Sequence, residues 1–384
     1  MAADTVELVK ERLRVADVIR GYVPLTPTGK NFKGLCPFHQ EKTPSFVVSP
    51  DRDMWHCFGC NLGGDVISFV MRYENLEFIE ALKLLAERAG VEFRASGAGD
   101  QRQFEVLYQI NAAAAQFFRQ QLSAQTAAAA TARAYVSGRG LGPETIEEFG
   151  IGFAPNSADL LSRELMKTGF RISDIERAGL TFKTERGTYW DRFRDRIMFP
   201  IHNHFGKVVG FTGRIMPTES DASARAAVSG LAGAKYVNSP ETPIFNKSKI
   251  LFGFSRTKND IRDAKSAVLV EGQMDFLMSW QDGVRNVVAT SGTALTPEHI
   301  KSLRRLAETL VVTFDSDEAG RAASERAIEL AAAADFTVRV ATLDDGMGTG
   351  PKDPADIVAV QPGALARVIA AAEPAMEYYF RRHL

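Results

Sequence analysis

Cysteine is scarce in this chain. There are three among 384 residues, and all of them fall between positions 36 and 60. So few thiols, and an odd number of them, exclude a disulfide-stapled secreted scaffold. Long apolar runs are also missing: no stretch approaches about eighteen uninterrupted apolar residues, which argues against a membrane-spanning helix. The opening MAADTVELVKERLRVADVIR is charged throughout, so it reads as one amphipathic helix and not as a secretory signal. No G-x4-G-K-[ST] occurs, which removes the P-loop motors. A cytoplasmic location is expected. Net charge is nearly absent too, at −1, which at first sight counts against a partner as acidic as nucleic acid.

The cysteines that are present form a pattern. CPFHQEKTPSF and the later CFGC combine as Cys36-x2-His39-x17-Cys57-x2-Cys60. Two short knuckles, each bringing two soft ligands around a tight turn, suit one tetrahedral Zn²⁺. Pro37 and Gly59 lie inside the knuckles, where the chain must bend. Four protein ligands close the site, so the metal is expected to be structural.

The charge is unevenly distributed. Residues 186–265 carry 14 Lys+Arg against 7 Asp+Glu, a net of +7, while 266–361 carry 8 against 15, a net of −7. A basic block abutting an acidic one suggests a face for polyanion beside a face for divalent metal; the plainer alternative is solvated surface charge. NLEFIEALKLLAERAGVEF has a helical pattern ended by Gly90. RASGAGDQRQ reads as a flexible linker. Phe104 to about Ala134 reads as helical, and 198–214 as a hairpin around HNHFGK. Residues 217–234, poor in anchoring side chains, read as a mobile surface loop.

From residue 266 short apolar strands alternate with helices: SAVLVEG, QMDFLMSWQDG, RNVVATSG, TPEHIKSLRRLAET with Thr296 as N-cap, LVVTFDSD, EAGRAASERAIELAAAA and FTVRVATL. That order predicts a parallel sheet with crossover helices. Chemistry in such sheets gathers beyond the carboxyl ends of the strands. Glu271 ends the first strand, Asp315 and Asp317 end the third, and Asp353 and Asp356 follow the fourth. Carboxylates gathered there would repel one another unless neutralised, and hard oxygen ligands in an open cluster suit Mg²⁺ or Mn²⁺. Each also has a simpler role: Asp317 as a helix cap, Asp275 as a surface charge one turn after Glu271, Asp353 as the start of a turn before Pro354.

VEGQMD followed by FDSDEAG resembles the Toprim signature. GRGLGPETIEEFGIGFAP, DRFRDRIMFPIHNHFGKVVGFTGR and KYVNSPETPIFNKSKILFG are similar to the basic half of bacterial DnaG-type primases, and CPFHQEKTPSF…WHCFGC to that family's zinc-ribbon domain. The resemblance runs along nearly the whole chain. It implies an α+β multidomain protein: a zinc ribbon over 1–95, a linker over 96–103 and a basic subdomain over 104–263. A Toprim-like α/β subdomain with a parallel sheet would follow over 264–346, and a truncated helical tail over 347–384. The implied activity is a DNA-directed RNA polymerase, a nucleotidyltransferase starting RNA primers de novo on single-stranded DNA from ribonucleoside triphosphates. Carried over, Glu271, Asp315 and Asp317 hold catalytic Mg²⁺ or Mn²⁺, with Asp275 and Asp353 nearby. Arg139, Arg196 and Arg214 face template or incoming nucleotide, and Lys235, Asn238 and Lys247 its phosphates and sugar. Arg194 is a less anchored candidate.

Lys30, Lys33, Lys42 and Arg52 of the ribbon offer charge to template phosphates, and Phe46, Trp55 and Phe58 are candidate base-stacking surfaces; some of these rings must instead pack the small domain's core, leaving one or two for DNA. Two departures stand out. The family's Asp-Pro-Asp is here Asp353-Pro354-Ala355-Asp356, and the helicase-docking domain expected of the family is absent from this chain. A Toprim nuclease or strand-passing enzyme, and a non-catalytic single-strand-binding module, are the alternative readings.

Overall fold

The computed structural model describes residues 2–74, 76, 78–91, 93, 98–216, 234–315, 317–343 and 353–383. They form two compact units, residues 1–103 and 104–384.

In the first unit the opening segment is two helices, α1 (Ala2–Arg12) and α2 (Val15–Arg20), where the sequence pattern predicts one. Arg14 is extended between them, and the Asp53 carboxylate accepts a 2.9 Å hydrogen bond from Val15 N, capping α2 from a distant turn. The break lets Val15, Val18 and Ile19 all enter the core. Five antiparallel strands follow in sequential order: β1 (Thr26–Thr28), β2 (Asn31–Gly34), β3 (Phe46–Ser49), β4 (Met54–Cys57) and β5 (Gly63–Gly64). Two helices, α3 (Val66–Glu74) and α4 (Phe78–Ala89), complete the unit. Phe46 and Trp55 stack with ring centroids 5.3 Å apart, and Phe69 meets Trp55 edge-on at 5.8 Å. Both Phe46 and Trp55 are buried, so they are the rings that pack the core, and of the three candidates Phe58 is left exposed. A domain this small needs its largest rings for its own core.

Helix α5 runs Ala98–Ser123. Residues 98–103, expected as flexible linker, are therefore helical; 94–97 and most of the expected 217–234 loop lie outside the described residues. Thr126 caps α6 (Ala127–Gly138), accepting from Ala129 N at 3.2 Å, and α7 spans Pro143–Glu148. An antiparallel sheet then forms in the order β11-β10-β9-β6 from β6 (Gly152–Ala154), β9 (Arg196–His202), β10 (Val208–Ile215) and β11 (Tyr236–Asn238). Between β6 and β9 come α8 (Leu160–Lys167), α9 (Ile172–Arg177) and a two-stranded hairpin, β7 (Thr181–Lys183) with β8 (Tyr189–Asp191). Phe118 of α5 packs edge-on against Phe211 of β10 at 5.3 Å. It also lies against the backbone of Gly152, where a Cβ would fall 2.5 Å from Phe118 Cβ.

After α10 (Phe254–Ala264) the alternation read from the sequence appears in order: β12 (Ser266–Val270), α11 (Gln273–Gln281), β13 (Val287–Ala289), α12 (Pro297–Arg304), β14 (Thr309–Val312), α13 (Glu318–Ala332) and β15 (Thr337–Val340). Strand order is β13-β12-β14-β15, all parallel, with β16 (Glu373–Pro374) antiparallel at one edge. Nearly every residue of β12, β13 and β14 is buried, as strands covered by helices on both faces require. Helices α14 (Pro354–Val360), α15 (Ala364–Ala370) and α16 (Ala375–His383) follow. Among the described residues, no helix is long and apolar enough to cross a membrane.

Candidate metal sites and catalytic centre

The first unit brings Cys36, His39, Cys57 and Cys60 together, their ligand atoms all within 4.8 Å of one another. The knuckle backbones turn amides onto sulfur: Phe38 N donates to Cys36 Sγ and Gly59 N to Cys57 Sγ, each at 3.4 Å. His39 faces the thiols through Nδ1, 3.7 Å from Cys57 Sγ, and turns Nε2 to the Glu41 carboxylate at 3.3 Å. Glu41 Oε1 also accepts from Cys36 N at 2.8 Å and Ser45 N at 2.9 Å, and the Ser45 hydroxyl donates to Oε2. Burial acts to raise the Glu41 carboxyl, but these Ser45 and Cys36 donors outweigh it and hold the group below its usual range. A carboxylate behind a ligating histidine fixes the ring's tautomer and orientation. Gly59 is required for closeness: a Cβ there would lie 2.5 Å from His39 Nε2. Three thiols and one oriented imidazole fit Zn²⁺.

In the second unit the carboxyl edge of the parallel sheet gathers the acidic residues. Glu271 follows β12, and its Oε1 accepts from Asp315 N at 3.3 Å, tying the ends of β12 and β14 together. Asp317 caps α13 by accepting from Gly320 N at 2.8 Å, and Asp353 caps α14 by accepting from Asp356 N at 2.7 Å. The capping role weighed for Asp317 is therefore real, Asp353, weighed as the start of a turn, caps a helix as well, and both bonds orient the carboxylates. Asp275 is no surface charge: it is 7% exposed and accepts from Gly272 N at 3.0 Å. Burial, then repulsion from Asp353 and Asp315, pushes Asp275 up to about 7. Burial, then Glu271, Asp353 and Asp317, pushes Asp315 up to about 7 as well, against the pull of Lys235. Burial raises Glu271 too, with Asp275 and Asp317 adding to it.

Crowded carboxylates that resist ionising are a site waiting for positive charge. Asp315 Oδ1 is buried and has no hydrogen-bond partner among the described residues. Of those residues, only the Cys/His quartet closes to metal-holding distance as a group of three or more. The acidic cluster is open by comparison. That suits a hard divalent cation that keeps waters and takes few protein ligands plus substrate phosphate.

The basic residues divide. Burial raises Asp353, while the charges of Arg139 and Lys235 act to lower it. Arg214 donates to the Tyr236 hydroxyl at 2.8 Å and lies over the rings of Tyr236 and Tyr135, at 5.3 and 5.5 Å. Asn238 Nδ2 donates to Ser291 O at 3.1 Å, joining the antiparallel sheet to the loop beyond β13. Ser291 N in turn donates to Glu271 O at 2.9 Å. Lys247 is fixed through its backbone, its carbonyl 3.0 Å from His299 Nε2, and among the described residues no contact brings its ammonium to the carboxylates. Arg196 departs from expectation. It is 4% exposed and its guanidinium donates to Gly213 O and Ala234 O, each at 3.1 Å, an internal tie in place of a template-facing charge. Arg194 lies over the Trp190 ring at 5.1 Å.

Two residues behind the site escape sequence reasoning. Glu41 sits between the knuckles with nothing in its spacing to mark it. Gly320 lets α13 approach the carboxylates so closely that a Cβ would fall 2.2 Å from Asp315 O and 2.9 Å from Glu271 Oε1.

Comparison with known proteins follows this architecture along the chain. The CHC2 zinc finger family matches residues 1–101, the DNA primase catalytic core N-terminal domain 117–258, and the Toprim-like family 268–358. The DNA primase of Geobacillus stearothermophilus is 39% identical over 367 residues, covering 94% of this chain and 58% of that protein. The crystal structure of the Aquifex aeolicus primase zinc-binding and RNA polymerase domains is 31% identical with a TM-score of 0.61, covering 96% of this chain and 85% of that one. A DnaG primase catalytic domain bound to single-stranded DNA is 32% identical with a TM-score of 0.61, covering 73% and 83%. The chain spans a little over half the length of the curated relatives it matches.

Proposed function

The chain belongs to the bacterial DnaG-type DNA primase family, and from that premise we propose that it synthesises short RNA primers de novo on single-stranded DNA. The 3′-oxygen of one ribonucleotide bonds to the α-phosphorus of the next. The α–β phosphoanhydride bond breaks, pyrophosphate leaves with the electron pair, and the hydroxyl proton passes to solvent. Glu271, Asp315 and Asp317 would hold Mg²⁺ or Mn²⁺, which when bound lowers the cost of the attacking alkoxide and the leaving pyrophosphate. Asp275 and Asp353 keep the surrounding field negative. Lys235 and Arg139 supply positive charge to polyphosphate at the rim of that field. Arg214, stacked on Tyr135 and Tyr236, presents a planar guanidinium to template or nucleotide. The observation that carries the reading is the junction of Glu271 with Asp315 N at the carboxyl edge of the parallel sheet, with Asp275 buried one helical turn beyond and mutual repulsion raising these carboxylates.

The zinc ribbon would hold template. A groove of about 330 Å³ lined by Thr28, Asn31, Phe32, Lys33, Pro44, Ser45, Val47 and Phe58 opens on its surface. Phe58 is 74% exposed, free to stack on a base. Lys33 lies in the groove, and Lys30, Lys42 and Arg52 are exposed elsewhere on the ribbon. Incubation with ribonucleoside triphosphates, single-stranded DNA and Mg²⁺ tests the proposal. New RNA supports it; cut DNA would favour a Toprim nuclease, and neither product a binding module. Replicative helicase remains the partner the family implies.

A further inference from the structure

Arg139 sits in a glycine-rich turn, Gly138-Arg139-Gly140-Leu141-Gly142, that has no regular structure of its own beyond the end of α6. One side chain from another element fixes it. Gln281, in the last turn of α11, accepts from Gly142 N at 2.7 Å through Oε1 and donates from Nε2 to Gly140 O at 2.8 Å. The same Oε1 accepts from the Thr145 hydroxyl at 3.1 Å. Gly140 has φ +87°, and a Cβ on it would lie 2.8 Å from Met278 Cε, so the turn is pressed directly onto α11. Helix α11 carries Asp275 at its other end. A second tie joins the same regions: Trp280 Nε1 donates to Glu148 Oε2 at 3.0 Å.

We propose that Gln281 is a positioning residue, clamping the turn that carries Arg139 onto the end of α11, the helix whose first turn carries Asp275. The inference rests on the primase reading above. Its amide matches a backbone acceptor on one side of the turn and a backbone donor on the other, a pair that neither a carboxylate nor a thioether can satisfy at neutral pH. Arg139 N is itself tied back to α6, donating to Tyr135 O at 3.1 Å and Val136 O at 3.2 Å, and Gln281 fixes the far side of the turn. Displacing a charge that meets polyphosphate by even about 1 Å costs on the order of 100-fold in rate.

The test uses the full chain with Gln281→Met, which keeps length and volume, and Gln281→Glu, which keeps shape and acceptor but loses the donor. Wild-type RNA synthesis on single-stranded DNA is measured first; failure there overturns the primase reading and this inference with it. Given an active wild type, both variants are expected to lower kcat/KM for nucleotide about 10–100-fold, chiefly through KM. Faster hydrogen exchange at Gly142 N should accompany the loss. Relative to wild type at each pH, Gln281→Glu should recover as pH falls and its carboxyl regains a proton to donate, while Gln281→Met should not. Arg139→Ala combined with Gln281→Met should be no worse than Arg139→Ala alone, because the clamp acts through that arginine. Fully additive losses in the double variant, or near-wild-type kinetics for both single variants, would overturn the inference while leaving the primase reading standing.

Discussion

Replace Gly320 with alanine and the new methyl carbon lands 2.2 Å from Asp315 O, 2.8 Å from Asp315 C and 2.9 Å from Glu271 Oε1. Ordinary contact starts at 3.4 Å, so the first turn of α13 must withdraw by about 1 Å. Two stability effects oppose each other. Alanine favours a helix over glycine by about 1 kcal/mol, while overpacking costs about 1–3 kcal/mol. Net destabilisation should therefore stay within about 2 kcal/mol, a few degrees in Tm. Activity has no such compensation. The withdrawal drags Asp317, whose carboxylate accepts from Gly320 N, and loosens the Glu271–Asp315 junction. A shift of about 1 Å among groups that position reacting atoms is worth on the order of 100-fold. Primer synthesis across a Mg²⁺ titration, read beside a thermal melt, separates the two. Wild-type synthesis at every Mg²⁺ concentration would refute the claim that this close approach sets the carboxylates.

Other outcomes follow from the same structure. Asp275 and Asp315 have folded pKa values raised to about 7, so their contribution is fully present below the ordinary aspartate range and is lost as pH rises towards 7. Metal-free Asp315→Asn should consequently melt higher than wild type at pH 8 and not at pH 4; an equal difference at both would contradict the burial and repulsion described. Glu41→Gln should weaken Zn²⁺ binding about 10–100-fold by loosening His39, whereas Cys57→Ser should release the metal and unfold mainly residues 1–103. Unchanged zinc retention on chelator challenge would count against each. Arg196→Met should lower stability by about 1–3 kcal/mol, because Gly213 O and Ala234 O lose a buried donor. If it instead left the melt unchanged and weakened DNA binding alone, Arg196 would be a template ligand after all.

Much of this protein is legible in its sequence. Periodicity located the strands and helices from 266 to about 343, because buried parallel strands read as short apolar runs and their helices as longer amphipathic ones. Thr296 announced its helix by the Thr-Pro pair, and it accepts from His299 N at 3.1 Å as a cap should. The zinc knuckles were equally plain, since ligand spacing within a knuckle is local geometry. Local pattern failed where a distant residue intervened. The first helix is broken by Asp53, thirty-eight positions after the amide it caps, and periodicity runs straight through the break.

The sequence by itself determined which residue types stand at which strand ends, and hence that carboxylates and zinc ligands exist in this order along the chain. Only the tertiary structure decided how they are held. It buried Phe46 and Trp55, weighed as base-stacking rings, and Arg196, which the resemblance implied for template or nucleotide, because a small core and the antiparallel sheet needed them more. It set Glu41 behind His39, and Gln281 across the turn that carries Arg139. It brought Lys235 near carboxylates far along the chain, against the repulsion that raises them. Hydrogen bonds and desolvation act through space over a few ångströms, so no reading of neighbours in sequence can find partners separated by tens or hundreds of residues.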